Sequence, residues 1–314
     1  MNARILAVAF LVAPLVGTMP AADSQLLSLV MPDAKVVAGL NVTQALSSPF
    51  GQYLLTHVPG ADAHFQALTA LTGFDPTRDV TELLLASNGA AGQKSGLVLA
   101  RGNFDAAKIG AAAQQGGALT ETYNGVTIWE NPRRDSGVAF LDSSLAAAGD
   151  ITNVKAAIDR RTAPSLLAAN LATRVNQWST SEDAWMVTTV SPESLKPQTG
   201  TQPPPNGVQN VFKNVTQASA GVKFGAIVTL NAEARADNSQ DATSIANVLQ
   251  FLASMVQSQA KNPDAAAALK SLVVNTQGET VKLSLSVPQE QIEKLIPQRQ
   301  LQHRGGAARS RSEF

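Results

Sequence analysis

The sequence predicts an α+β protein built as two related halves, each a mainly antiparallel sheet covered by helices, and three observations lead to it. Apolar residues alternate with period two in several short segments, turn residues separate neighbouring segments at hairpin spacing, and a unit of strand, capping residue and short helix recurs along the chain.

In chain order, Leu83–Ala86 and Leu97–Ala100 are continuous apolar runs on either side of Asn88-Gly-Ala-Ala-Gly92, and they predict strands near the middle of a sheet. Asn124-Gly125 separates Leu119–Tyr123 from Val126–Trp129. This pair suits a type I′ hairpin turn, in which both central residues take positive φ. Asp142-Ser143-Ser144 divides Val138–Leu141 from Leu145–Ala148 in the same manner. Consecutive hairpins imply antiparallel pairing, which excludes the parallel sheet of a nucleotide-binding fold.

Further on, Val228–Ala236 and Val281–Val287 alternate strictly, as half-buried strands with one wet face do. Between them, Asp241–Gln259 carries Ile245, Val248, Leu249, Leu252, Met255 and Val256 on one stripe, so it predicts an amphipathic helix. Asn262-Pro263-Asp264 stops that helix and starts an Ala-rich one running to about Leu272. The recurring unit places Leu97–Arg101 before a helix from Asn103 to Ile109, and Leu145–Gly149 before one from Asp150 to Lys155. It also places Trp185–Val190 before Ser191–Leu195, and Val281–Val287 before Pro288–Glu293. Asp150 and Ser191 suit the N-cap, and Pro192 and Pro288 the first helical turn.

The organisation expected is a signal peptide over 1–22, an N-terminal half over 23–162, a C-terminal half over 163–297 and a disordered basic tail over 298–314. The boundary falls near Arg161–Pro164, with the Pro-rich tract Lys196–Gly207 as the alternative. At the start, Arg4 precedes an apolar run of about 13 residues from Ile5 to Gly17, which has the length of a signal peptide and falls short of a membrane span. The small residues before Asp23 suit cleavage after Ala22, with Thr18 as the other position. The tail carries Arg299, His303, Arg304, Arg309 and Arg311 against the single acid Glu313, without an apolar period.

Composition narrows the function. There is no Cys, so a lipobox anchor, a disulfide and a thiolate metal site are all absent from the sequence. Removing Arg4 with the leader leaves 23 basic against 24 acidic side chains, a balance that gives no long-range attraction to nucleic acid. Two Tyr and three Trp leave little for a sugar-stacking groove.

Pro32–Asn41, Ser48–Gly51, Thr72–Asp79, Ala100–Asp105, Ala148–Asp150 and Ala184-Trp185 together resemble segments of a group of uncharacterised exported bacterial proteins of unknown function. The resemblance implies export and an α+β fold, and it transfers no active site.

Each candidate site has a plainer structural explanation. His57, Asp62 and His64 are the clustered metal-capable residues, but zinc needs three or four fixed ligands and Pro59-Gly60 interrupts them. Thr72–Asp79 offers Asp75, Arg78 and Asp79 as a polar binding loop; the same residues suit a helix stop at Gly73, a turn at Asp75-Pro76 and a local ion pair. Glu130, Asp135, Asp142 and Asp150 contain the carboxylates a glycosidase would pair, yet they fall at turns and caps. Serine catalysis lacks a Gly-x-Ser-x-Gly elbow, and Gly89, Gly92 and Gly96 lack the Lys-Ser/Thr of a phosphate loop. Asn41-Val-Thr43 and Asn214-Val-Thr216 match glycosylation sequons.

No catalytic, cofactor-binding or metal-ligating residue is therefore assigned. The function expected is an exported, periplasmic or extracellular, non-enzymatic interaction or envelope-associated module that takes an unknown protein partner. A carrier of a lipid or other apolar ligand is the alternative, and a hydrolase the third reading. An apolar cavity of several hundred Å3 would favour the carrier, a filled core with an exposed apolar patch the protein partner.

Overall fold

The structure, a computed structural model, describes residues 22–57, 66, 69–89, 96–131, 133–164, 166–190, 212–259 and 263–295. Among them, twelve strands form one antiparallel sheet. They are β1 (Val36–Asn41), β2 (Val80–Ser87), β3 (Gly96–Gly102), β4 (Leu119–Tyr123), β5 (Val126–Asn131), β6 (Ser136–Asp142), β7 (Leu145–Asp150), β8 (Ala184–Thr188), β9 (Val215–Lys223), β10 (Ile227–Ala236), β11 (Val273–Gln277) and β12 (Thr280–Pro288). Their order across the sheet is β11-β12-β10-β9-β8-β1-β2-β3-β7-β6-β5-β4. The fold is α+β, with helices on both faces.

Besides helical residues at 66 and 69–72, the helices among the described residues are α1 (Ser24–Ser28), α2 (Val42–Ser47), α3 (Pro49–His57), α4 (Pro76–Asp79), α5 (Ala106–Gln115), α6 (Ile151–Arg160), α7 (Ala169–Ser181), α8 (Ser239–Gln259), α9 (Pro263–Leu269) and α10 (Gln289–Leu295). Most starts follow from local chemistry. Asp23, Asn41, Asp75, Asp105 and Asp150 each accept a backbone N–H of the first turn that no helical carbonyl can reach. Asn124 and Gly125 turn the β4–β5 hairpin at φ 47° and 77°, the left-handed pair its spacing predicts.

The two sides of the sheet repeat one order of elements. Strands β1, β2 and β3 pair in sequence, an excursion follows, and β7 returns to lie beside β3; β8, β9 and β10 do the same, with β12 returning beside β10. The equivalences are β1 with β8, β2 with β9, β3 with β10, β6 with β11 and β7 with β12. The hairpin β4–β5 is extra to the first side. At the centre β1 pairs with β8, Ala38 facing Met186.

Side chains alternate between the two faces. Face A carries Val37, Leu84, Ala86, Leu97, Leu99, Ala147 and Trp185. Together with Leu26 and Leu29 of α1 and its exit, Val154, Ala157 and Ile158 of α6, and Leu171, Val175 and Trp178 of α7, they form the main core. Face B holds two smaller cores at its margins. One gathers Leu40, Leu83, Ala100, Phe104 and Phe140 near α2, α4 and α5, and the other sets Ala242, Ile245 and Ala246 of α8 on Val215, Ala236 and Val281.

Several elements differ from the sequence reading. The helix read from Asn103 starts at Ala106, because Asp105 makes the capping bond to Lys108 N–H. Pro288 closes β12 ahead of α10. The Ala-rich helix stops at Leu269 and leads into β11, where Val273 and Val274 continue the sheet. Strands β1, β9 and β11 and helices α1 and α7 escape the pattern analysis: β9 and β11 alternate small or polar residues with few large apolar ones, and α7 presents its apolar stripe amid Asn, Gln, Ser and Thr. The leader up to residue 21, the helix read over Ser191–Leu195 with its Ser191 cap and Pro192, the Pro-rich tract and the basic tail lie outside the described residues.

Candidate functional site

Strand registers bring one line of residues together across face B. In sheet order it runs Trp129, Val138, Ala148, Val98, Leu85, Ala38, Met186, Ala220, Ala232, Leu283 and Val274, each facing the next across a strand pair. Every member is apolar. Around the Ala38–Met186 pair the line maps onto itself, so Leu85, Val98, Ala148 and Val138 of one side correspond to Ala220, Ala232, Leu283 and Val274 of the other. Strand spacing of about 4.8 Å makes the stretch from Val138 to Leu283 roughly 38 Å long.

The margins of face B are covered, and its middle is not. Leu85 is 45% exposed, Met186 39%, Val138 38% and Val98 36%, whereas Leu84, Leu97 and Leu99, their neighbours on face A, are fully buried. Exposed large apolar side chains in the middle of a sheet, aligned strand after strand, form a contiguous patch of the kind that marks an interaction surface. At the first-side end the row enters an open cleft of about 390 Å3 lined by Ile109, Ala113, Trp129, Val138, Phe140 and Ala148, with Glu130 and Arg134 among its polar residues. Gly110 lets α5 lie on Trp129, since a Cβ there would stand 2.3 Å from the indole ring.

Face A of the second side is largely polar beyond β8. Asn231, Glu233, Lys282 and Ser284, with Trp178 and Glu182, line a cleft of about 360 Å3. Burial pushes Glu182 above the ordinary carboxylate range; the Asn231 amide, donating to Oε1 at 2.9 Å, and Lys223 pull it back. Beside it Asp183, almost fully buried, accepts from Lys223 Nζ at 3.0 Å and from the Phe224 N–H at 2.7 Å. Arg174 meets Glu233 at 3.4 Å and Ser219 Oγ at 2.9 Å. Most of these groups are paired with one another, while Glu182 Oε2 and Trp178 Nε1 are buried without a hydrogen-bond partner among the described residues, and no nucleophile with an adjacent base is among them.

The residues weighed from the sequence are dispersed. His57 ends α3, while Asp62 and His64 lie outside the described residues. No group of three or more metal-capable side chains exists among the described residues. Asp75 caps α4, Arg78 binds Asp79 at 2.6 Å and donates to the Gly73 carbonyl, and Phe74 packs 5.7 Å from Phe104. Asp142 holds the β6–β7 turn through Ser144, Asp150 caps α6, and Asp135 sits in a turn at φ 49°. Glu130 lies beside Glu121, which Lys155 holds at 2.8 Å; the hydrogen bond from Lys155 keeps Glu121 low, and the neighbouring Glu121 carboxyl pushes Glu130 up. Gly89 and Gly96 flank the β2–β3 connection, with Gly92 outside the described residues. Asn41 caps α2 and Asn214 donates to Asp241, so both sequon side chains serve local structure.

The sequence held one signal for the exposed row. The runs Leu83–Ala86 and Leu97–Ala100 are apolar on both faces, which pattern analysis reads as burial on both faces; the structure covers one face only at Leu85 and Val98.

No family model and no curated protein matches the chain. Among solved structures it is similar to TP0453. Crystal form III is 10% identical at a TM-score of 0.53, covering 86% of this chain and 96% of that one; crystal form I is 11% identical at 0.52, covering 88% and 97%. At such identity the likeness is one of fold, and it extends over nearly the whole of both chains.

Proposed function

We propose that this chain is an exported, non-enzymatic binding module of the cell envelope, and that it docks a protein partner along the apolar row of face B. The observation that carries the proposal is the row itself: apolar side chains in register over about 38 Å, with the large ones Val138, Val98, Leu85 and Met186 exposed over the roughly 24 Å from β6 to β8. A partner helix would suit it, because the 5.4 Å pitch of an α-helix lies close to the strand spacing and presents one apolar side chain per strand. The filled core on face A and the openness of both clefts favour a protein over a carried apolar ligand, which would need an enclosed apolar cavity. The apolar leader and the absence of Cys support export and a fold held by its core alone.

The test is capture of crosslinked partners from the envelope with wild type and with the Leu85→Glu/Met186→Glu variant, alongside lipid extraction of the same samples. The reading expects a discrete protein adduct that the variant loses while its denaturation midpoint stays the same. Extraction of bound lipid without a protein adduct would replace the partner with a carrier role, and adducts equal in both samples would remove face B from the function.

A further inference from the structure

The first described turn holds an uneven set of charges. The Asp23 carboxylate accepts two bonds from Arg101, at 3.0 and 2.9 Å, and caps α1 through the N–H groups of Gln25 and Leu26. Arg101 gives two further bonds, to Gln25 Oε1 at 2.8 Å and Ser144 Oγ at 3.1 Å, so four of its five N–H donors are directed away from Glu82. Glu82, on β2 opposite Arg101 of β3, is left with one hydrogen bond among the described residues, from the Asp23 backbone nitrogen to Oε1 at 3.1 Å. Two carboxylates thus share one guanidinium, and the half-buried Glu82 is the one without a cation of its own. Its carboxyl is pushed up by burial and by the Asp23 charge, against the Asp23 N–H and Arg101, which draw it down.

One positive charge on the Asp23 nitrogen would balance the cluster, and the peptide bond before that nitrogen is the one the leader reading marks for cleavage. We propose that Asp23 is the first residue of the mature protein and that its α-ammonium group forms an ion pair with Glu82, docking the processed end against β2. The inference rests on the export reading. Processing is hydrolysis by a signal peptidase: water adds across the Ala22–Asp23 bond, the C–N bond breaks as a C–O bond forms, Ala22 leaves as a carboxylate, and the nitrogen of Asp23 becomes the ammonium. The docked end then anchors α1, whose Leu26 is fully buried in the main core.

The experiment is intact mass and N-terminal sequencing of the full chain expressed in a bacterial host and recovered from the envelope fraction. It is paired with denaturation of two purified forms, one starting at Asp23 and one at Ala22, each with and without Glu82→Gln. The proposal expects a mature chain beginning at Asp23, and a loss of about fivefold in the folding constant from Glu82→Gln in the Asp23 form only. An exported chain beginning at Ala22 or Met19 would overturn the inference and leave export standing. A chain retaining Met1 in the cytoplasm would overturn both. Equal effects of Glu82→Gln in the two forms would show that the ammonium is not the partner of Glu82.

Discussion

The two sides of the sheet follow one order of elements and treat face A in opposite ways. On the first side α6 lies over face A and buries Leu84, Leu97, Leu99 and Ala147. On the second side the helix at the equivalent place, α10, packs against α9, α3 and the end of β12 instead. Counting outward from the Ala38–Met186 pair, Leu84 corresponds to Ser219, Leu97 to Asn231, Leu99 to Glu233 and Ala147 to Lys282. Of the four, Asn231, Glu233 and Lys282 are polar and at least partly exposed, Ser219 is buried and bonded to Arg174, and at the sheet margin Val273, paired with Ser284, is apolar and 51% exposed. The central row of face B differs: it is apolar on both sides, and its large members Leu85, Val98, Val138 and Met186 are exposed while Ala220, Ala232 and Leu283 are partly so. Exposed, aligned apolar side chains such as Leu85, Val98 and Met186 contrast with the polar Asn231, Glu233 and Lys282 of face A, as an interaction surface contrasts with a solvated one.

The largest effect that separates the sides is core truncation. Leu99→Ala should cost about 2–5 kcal/mol, since the site is fully enclosed, whereas Lys282→Ala on face A of the second side, where the side chain is about half exposed, should cost about 1 kcal/mol or less. Chemical denaturation of the two variants reads the difference; equal costs would mean that the second side is packed as tightly as the first.

Next comes the seam between the sides. A Cβ on Gly39 would stand 2.5 Å from the indole of Trp185, its partner in the central strand pair, so Gly39→Ala must displace the ring and should cost about 1–3 kcal/mol. Near-ultraviolet circular dichroism should show the Trp185 environment change, and an unaltered spectrum would argue against this packing.

The pH dependence of the polar face follows from Glu182. Its folded-state carboxyl lies above the ordinary range because of burial, so as pH rises through that range the unfolded chain releases its proton first. Stability is lost over that interval, and the deficit persists once the folded carboxyl has ionised too. Glu182→Gln should therefore raise the denaturation midpoint at neutral pH and change it little near pH 4; a drop at neutral pH would contradict the assignment. Asp23 on the first side has the opposite sign. Burial raises its carboxyl, but Arg101 and the Leu26 and Gln25 amides outweigh burial and hold it low, so its contribution is present at neutral pH and fades on acidification. The smallest effect on stability belongs to the face B row: Leu85→Glu should shift folding by no more than about 0.5 kcal/mol, because the side chain is already half in water.

Much of this architecture was legible in the sequence. The Asn124-Gly125 hairpin, the Asp150 cap and the stripe on α8 are local signals, and local chemistry decides them. Strands β9 and β11 were not, because β9 is mostly small or polar residues and β11 is a short Val-Val-Asn-Thr-Gln run, and such strands are specified by their neighbours' registers more than by their own pattern. The functional surface was hidden for a related reason. An apolar run states that both faces of a strand are apolar, and only the placement of α2, α5 and α8 decides which part of the second face is left uncovered.

The most direct measurement places a photo-crosslinking residue at Leu85 on face B or at Lys282 on face A and irradiates cells making the full chain. The account predicts a discrete adduct from Leu85 and none from Lys282. An adduct from Lys282 alone, or none from Leu85 in the compartment where the protein accumulates, would contradict it.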